Sequence, residues 1–236
     1  MTDSLAPVVL VHGAWHGPWC WDRVTPLLDA RDIQWQALDL PSMCDGVGHV
    51  TDLHCDAAIL RDALDALDRP AVVVGHSYGG MVITEGASDH PNARHLVYLT
   101  AFMPDVGESL NAWIARFPPD PELLAGLVLD AERRSTIARA VVGPGFYNDC
   151  DEGTVAWAAD RLRPMLSESN EPVRAAAWRG IPSTYAVCTQ DRILVPDLQR
   201  EMAQRASRVV EWDTSHSPFA SRPELVADLI AEVARN

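Results

Sequence analysis

The stretch Ala71-Val72-Val73-Val74-Gly75-His76-Ser77-Tyr78-Gly79-Gly80 is an apolar, β-branched run that stops at a serine enclosed by glycines. It reads as a buried strand turning sharply into a helix, with Ser77 at the apex. Gly75 and Gly79, each two residues from the serine, remove Cβ atoms that would collide where strand and helix approach, so the serine can hold a strained backbone. This is the G-x-S-x-G nucleophile elbow in the strand-turn-helix setting the pattern requires. The competing reading is a plain glycine turn with the serine as an N-cap. The rest of the chain decides between them.

Upstream of the elbow, Pro7 to His12 is a continuous apolar run ending at Gly13, as expected of a strand buried on both faces. Helical spacing from Trp19 to Arg31, a strand from Ile33 to Leu40, a surface loop from Ser42 to Thr51 carrying Gly46 and Gly48, and a helix from Asp52 to Leu67 complete the approach. Downstream, Gly80 to Asp89 predicts a helix and His95 to Thr100 a strand. Short connections between alternating strands and helices imply a parallel sheet covered on both faces. The alternation breaks between Met103 and Gly180, where prolines separate four helical patterns (Leu110 to Arg116, Pro121 to Arg139, Thr154 to Leu162, Pro172 to Trp178) and no strand signal appears. The sheet then resumes with Ser183 to Thr189, a helix near Pro196 to Arg205, the strand Val209 to Trp212 and a terminal helix Pro223 to Ala234. The expected organisation is an α/β core formed by residues 1–103 and 181–236, with a mainly parallel sheet of about six strands. A helical cap, residues 104–180, is inserted in it. The aromatic residues Trp113, Phe117, Phe146 and Trp157 of the cap are candidate pocket residues beside Gly13 and Trp15, although many such aromatics only pack a cap onto its core.

A serine hydroxyl becomes a nucleophile when an imidazole takes its proton and a carboxylate orients that imidazole. In a parallel sheet the carboxyl ends of the strands share one edge, so such partners should follow strand ends late in the chain. Asp191 directly follows the strand Ser183 to Thr189, and His216 follows Val209 to Trp212. Asp197, Asp213 and Asp105 are the rival acids. The oxyanion donors expected are the backbone N–H groups of Tyr78, at a helix N-terminus, and Ala14, in the turn after the first strand. His12 and His16 are four residues apart across a glycine turn rather than on a helix, so no metal site is expected there. His76 points away along the elbow strand, and His49, His54, His90 and His95 have no partners legible in the sequence.

Composition narrows the remaining classes. The 236-residue length fits one domain, and no apolar run of about 18 residues is present to span a bilayer. A net charge of −14 argues against a nucleic-acid partner. All 19 basic residues are arginine, which excludes a P-loop, pyridoxal or Schiff-base lysine; no cofactor is expected. Five scattered cysteines (Cys20, Cys44, Cys55, Cys150, Cys188) form neither a disulfide framework nor a zinc motif, and the N-terminus lacks a basic export region, so a reducing cytoplasm is the expected location.

The segments Val11 to Trp21, Gly75 to Gly80 and Ala101 to Pro104 resemble the α/β-hydrolase superfamily, in its branch of small esterases, plant methylesterases and hydroxynitrile lyases. The resemblance covers nearly the whole chain. It implies an α/β-hydrolase fold reduced at the N-terminal side, Ser77 as nucleophile, Asp191 as acid, His216 as base, and Ala14 and Tyr78 as oxyanion donors. Lyases of the branch resemble one another in a threonine after the first-turn histidine and a lysine after the catalytic histidine; this chain has Gly13 and Ser217. Both departures favour an esterase. The expected activity is hydrolysis of small to medium lipophilic carboxylic esters through an acyl-enzyme, with the ester and water as partners; a homodimer is compatible with the sequence. The alternatives are a lyase or specialised secondary-metabolism reaction at the same site, or a ligand-binding protein on a hydrolase scaffold.

Overall fold

The computed structural model describes residues 5–43, 51–130, 134–166 and 171–235. Nine strands lie along them: β1 (Val8–Val11), β2 (Trp35–Ala37), β3 (Ala71–Ser77), β4 (Ala93–Ala101), β5 (Leu127–Leu129), β6 (Arg134–Ile137), β7 (Met165–Leu166), β8 (Ser183–Cys188) and β9 (Arg208–Trp212). Six of them form one sheet in the order β2-β1-β3-β4-β8-β9, with every pairing parallel. The six-stranded parallel sheet expected from the sequence is thus present. β1 and β3 are buried along their whole length, as continuous Val-rich runs must be when helices cover both faces of a sheet. The helix Pro223–Arg235 lays Val226, Ala227, Ile230 and Val233 into one of these faces, a stripe at helical period that holds it on the core.

The strand order positions the site. From β1 the chain steps outward to β2, then crosses back to place β3 on the other side of β1. Connections leaving the carboxyl ends of β1 and β3 therefore diverge, and an open crevice remains between them. The turn Gly13–His16 and the elbow at Ser77 both fall at this crevice. Next to it, the β3–β4 register slips: His76 faces Leu99, but Ser77 faces Ala101. Thr100 is the extra residue of a β-bulge, with φ +39, and bulges re-aim side chains beside active sites.

The inserted segment between β4 and β8, which we call the cap, departs from the all-helical expectation. Helices Leu110–Arg116 and Glu152–Ala159 are present. The pattern from Pro121 to Arg139 instead gives a short helix, Pro121–Leu124, followed by β5 and β6. With β7 these make a three-stranded antiparallel sheet in the order β5-β6-β7. The helix ends at Leu124, and Leu127–Leu129 then pairs with Ser135–Ile137 rather than coiling. From Pro172 to Trp178 the only helical element is the 3-10 turn Ala177–Arg179. The Trp19 to Arg31 pattern is likewise divided into a 3-10 turn, Pro18–Trp21, and the helix Thr25–Asp29. Most of the predicted loop from Ser42 to Thr51, with Gly46, Gly48 and His49, lies outside the described residues. Among the described residues no helix is long and apolar enough to cross a membrane.

Candidate active site

Ser77 ends β3 with φ +53, a left-handed backbone that costs a non-glycine residue energy and marks functional turns. The motif glycines let this turn exist. A Cβ at Gly75 would lie 2.7 Å from the Gly79 carbonyl oxygen, and one at Gly79 would lie 2.6 Å from that of Val11. Both distances are shorter than any tolerable contact with backbone, so the strand, the helix Gly79–Gly86 and β1 can approach this closely only without side chains there.

Asp191 follows β8 and His216 follows β9, and the structure brings them together: His216 Nδ1 is 2.7 Å from Asp191 Oδ2. Asp191 is held from both sides. Its Oδ1 accepts the backbone N–H groups of Ile193 at 2.7 Å and Leu194 at 3.0 Å. Its Oδ2 also accepts from Gln199 Nε2 at 3.1 Å and from the hydroxyl of the bulge residue Thr100. The imidazole donates its Nδ1 proton to this carboxylate, which leaves a lone pair on Nε2. Nε2 is buried and has no hydrogen-bond partner among the described residues. The loop carrying His216 is tied to the cap, where Ser215 N–H donates to Asp149 at 2.9 Å and Ser215 Oγ to the Phe146 carbonyl at 3.3 Å. His76 does not face the serine side; its Nε2 donates to the backbone carbonyl of His216 at 2.8 Å. The rival acids lie elsewhere, with Asp105 2.7 Å from Arg179, Asp213 accepting from Gln190 at 2.7 Å and Asp197 3.7 Å from Arg200.

Ala14 and Tyr78 line one cavity with Ser77. Among the described residues the Ala14 N–H has no acceptor. Tyr78 caps the helix Gly79–Gly86, and its hydroxyl donates to the buried carboxylate of Asp56 at 2.7 Å. Ser42 supplies Asp56 with two further donors, its backbone N–H at 3.1 Å and its Oγ at 2.5 Å. Burial nevertheless pushes the Asp56 carboxyl above its ordinary range.

His16 shapes the turn. Its Nδ1 donates to the Ala14 carbonyl at 2.7 Å, and its Nε2 accepts the Tyr147 hydroxyl at 2.8 Å. Burial lowers its pKa to about 3, and burial also lowers that of His76. The unfolded chain takes up these protons near pH 6.5, before the folded chain does. The stability held by a neutral His16 is therefore complete above pH 6.5 and lost as pH falls toward 3, at about 1.4 kcal/mol per pH unit. Between pH 7 and pH 5 the wild type is expected to lose about 2 kcal/mol that a His16→Gln variant does not. Urea midpoints at the two pH values measure the difference, and parallel losses in both proteins would contradict it.

The cavity beside Ser77 has a volume of about 290 Å³, and among the described residues none that lines it is charged. Of the aromatic and turn residues singled out from sequence, Trp15 and Phe117 line it. Trp113 packs behind, stacked on Phe117 with ring centroids 6.3 Å apart. Phe146 lies edge-on to Trp15 at 5.8 Å and to His216 at 5.5 Å, outside the lining. Gly13 sits under the elbow, where a Cβ would meet that of Ser77. Trp157 lies off the cavity against Trp19, at 5.1 Å. The cap strands supply walls that the sequence reading missed: Leu127, Leu129, Ser135 and Met165. The apolar triplet Leu127-Val128-Leu129 was the available signal.

The alpha/beta hydrolase family matches residues 8–229 of the chain. Methylesterase 2 of Arabidopsis thaliana is 30% identical, over 97% of this chain and 95% of its own length. Among solved structures, the pyrethroid hydrolase of Sphingobium faniae JZ-2 superposes with a TM-score of 0.83 at 26% identity, covering 98% of this chain and 97% of that one. Polyneuridine aldehyde esterase shares the fold, with a TM-score of 0.84 at 19% identity over 98% of this chain and 99% of that one. A six-stranded parallel sheet with a serine elbow at its topological crossover, matched across nearly its whole length, identifies the chain as a member of the alpha/beta hydrolase family.

Proposed function

We propose that this protein is a carboxylic ester hydrolase that acts on uncharged, lipophilic esters of small to medium size through an acyl-enzyme at Ser77. The observation that carries the reading is the Asp191–His216 pair at 2.7 Å, which leaves a buried, unpartnered Nε2 at the sheet edge where Ser77 stands. Ser77 Oγ attacks the ester carbonyl while His216 Nε2 takes its proton, and Asp191 steadies the imidazolium. The negative oxygen of the tetrahedral intermediate is held by the N–H groups of Ala14 and Tyr78. His216 then returns the proton to the leaving alcohol. Water attacks the acyl-enzyme by the same route, and the acid is released with Ser77 restored. No cofactor takes part.

The cavity supports the substrate class. A lining without charge gives an anionic substrate no counterion, whereas a neutral ester loses little on entering. Hydrolysis converts that ester into a carboxylate that the same walls disfavour, which promotes product departure. The names of the relatives, a methylesterase and a pyrethroid hydrolase, support ester hydrolysis.

The test is covalent labelling. Wild-type protein treated with a fluorophosphonate is expected to gain one adduct, mapped by peptide mass spectrometry to Ser77, and to turn over p-nitrophenyl butyrate. Absence of both adduct and turnover would overturn the reading in favour of a binding protein.

A further inference from the structure

The turn that offers Ala14 N–H is strained, and the strain is held from outside the core. Trp15 has φ +62, a left-handed conformation that is an outlier for so bulky a residue and persists only where surrounding contacts impose it. Every carbonyl from Gly13 to His16 is occupied. That of Gly13 accepts from His16 N–H at 3.3 Å, and that of Ala14 from His16 Nδ1 at 2.7 Å. The other two are taken by one cap residue, Arg163. Its backbone N–H donates to the Trp15 carbonyl at 2.8 Å, and its guanidinium donates to the His16 carbonyl from Nη2 at 3.1 Å and Nε at 3.3 Å. The same guanidinium engages Asp39, just past β2, with Nη2 at 2.5 Å from Oδ1 and Nη1 at 3.2 Å from Oδ2. Among the described residues, Trp15 N–H is directed at Met43 Sδ and His16 N–H at the Gly13 carbonyl, whereas Ala14 N–H, which borders the cavity, has no acceptor.

We propose that Arg163 is a positioning residue for the oxyanion hole: a cap-borne latch that grips the Trp15 and His16 carbonyls against Asp39 and so aims Ala14 N–H at the cavity. The inference rests on the ester-hydrolase reading above. The planar fork of arginine suits the task, because it satisfies a carbonyl and a carboxylate at once in fixed directions, which a lysine ammonium cannot do. It makes the cap part of the catalytic geometry as well as a pocket wall.

The experiment compares wild type, R163Q and R163K, with R161Q as a control because, among the described residues, the Arg161 side chain reaches only Trp157 on the cap surface. The readouts are kcat and KM for p-nitrophenyl butyrate, the affinity of an alkyl trifluoromethyl ketone whose serine adduct carries the oxyanion, and the melting temperature. R163Q keeps the main-chain bond to Trp15 but loses the grip on His16 and Asp39. It is expected to lower kcat roughly 10- to 100-fold with KM within about twofold, and to weaken ketone binding by a similar factor. R163K is expected to fall between, and R161Q to match wild type. Wild-type kcat in R163Q, with only a lower melting temperature or a higher KM, would overturn the proposal and leave Arg163 a structural tie. Should R163Q prove insoluble, R163K decides: a kcat deficit at unchanged KM supports the latch, and wild-type kcat overturns it. A wild type that neither labels at Ser77 nor turns over the ester fails the underlying reading instead, so the two failures are distinguishable.

Discussion

Replacing Ser77 with alanine is expected to lower kcat/KM for p-nitrophenyl esters by about 10⁵- to 10⁶-fold and to abolish fluorophosphonate labelling, while the folded protein is unchanged or slightly more stable. On the proposed mechanism the size follows from removing the nucleophile: His216 and Asp191 have nothing left to activate, and only transition-state binding by the oxyanion donors remains. The stability forecast follows from the surroundings of the hydroxyl. Among the described residues Ser77 Oγ makes no hydrogen bond, whereas the Ser77 backbone carbonyl accepts from Phe102 N–H at 3.1 Å. Alanine keeps that backbone bond and suits the φ of +53 no worse than serine does. Activity assays and thermal unfolding of the two proteins check both halves. An active Ser77→Ala protein would remove Ser77 from the chemistry altogether.

The second large effect is expected at Asp191. Asp191→Asn should reduce kcat/KM about 10⁴-fold near neutral pH with no gross change in fold. The direction is set by the donors around the carboxylate. Oδ1 faces two backbone N–H groups, from Ile193 and Leu194, so an asparagine places its carbonyl oxygen there. Its NH₂ then takes the Oδ2 position, opposite His216 Nδ1. The imidazole must accept at Nδ1 and carry its proton on Nε2, where it can no longer receive one from Ser77. Gln199 Nε2, also directed at Oδ2, becomes a donor facing a donor, and a modest loss of stability accompanies the loss of rate. Steady-state kinetics with circular dichroism separate the two effects. Asp197→Asn and Asp213→Asn, both at exposed carboxylates, should stay within about twofold of wild type; a comparable loss in either would transfer the acid role away from Asp191.

Much of this arrangement is legible in the sequence. A strand buried on both faces cannot alternate, so β1 and β3 appear in the sequence as unbroken Val-rich runs, and the glycines around Ser77 mark a turn that few other residues could make. Parallel strands put their carboxyl ends on one edge, which is why the order Ser77, Asp191, His216 carried information although the three are far apart in the chain. The cap strands were not legible, because β5 continues an apolar pattern that also suits a helix, β6 is the largely polar Arg134-Ser135-Thr136-Ile137, and β7 has only 2 residues. Such segments carry no strand period of their own, and their pairing is decided by tertiary contact. Asp56 was also hidden. On a helix it looks like a solvated acid, and only the docking of Ser42 and Tyr78 turns it into a buried hub. Aromatic content said that the cap packs on the core, but not that Trp15 and Phe117 would face the cavity while Trp157 would face Trp19.

The crossover topology also imposes a timetable on the newborn chain. The Gly13–His16 turn and Ser77 leave the ribosome early, and their strands β1 and β3 can pair with each other at once. β9, which precedes His216, pairs with β8 alone and is among the last segments synthesised. At about 5–20 residues per second, many seconds separate the appearance of Ser77 from that of His216. The Asp191–His216 pair can therefore form only after β9 and the loop that follows it have been made, late in synthesis.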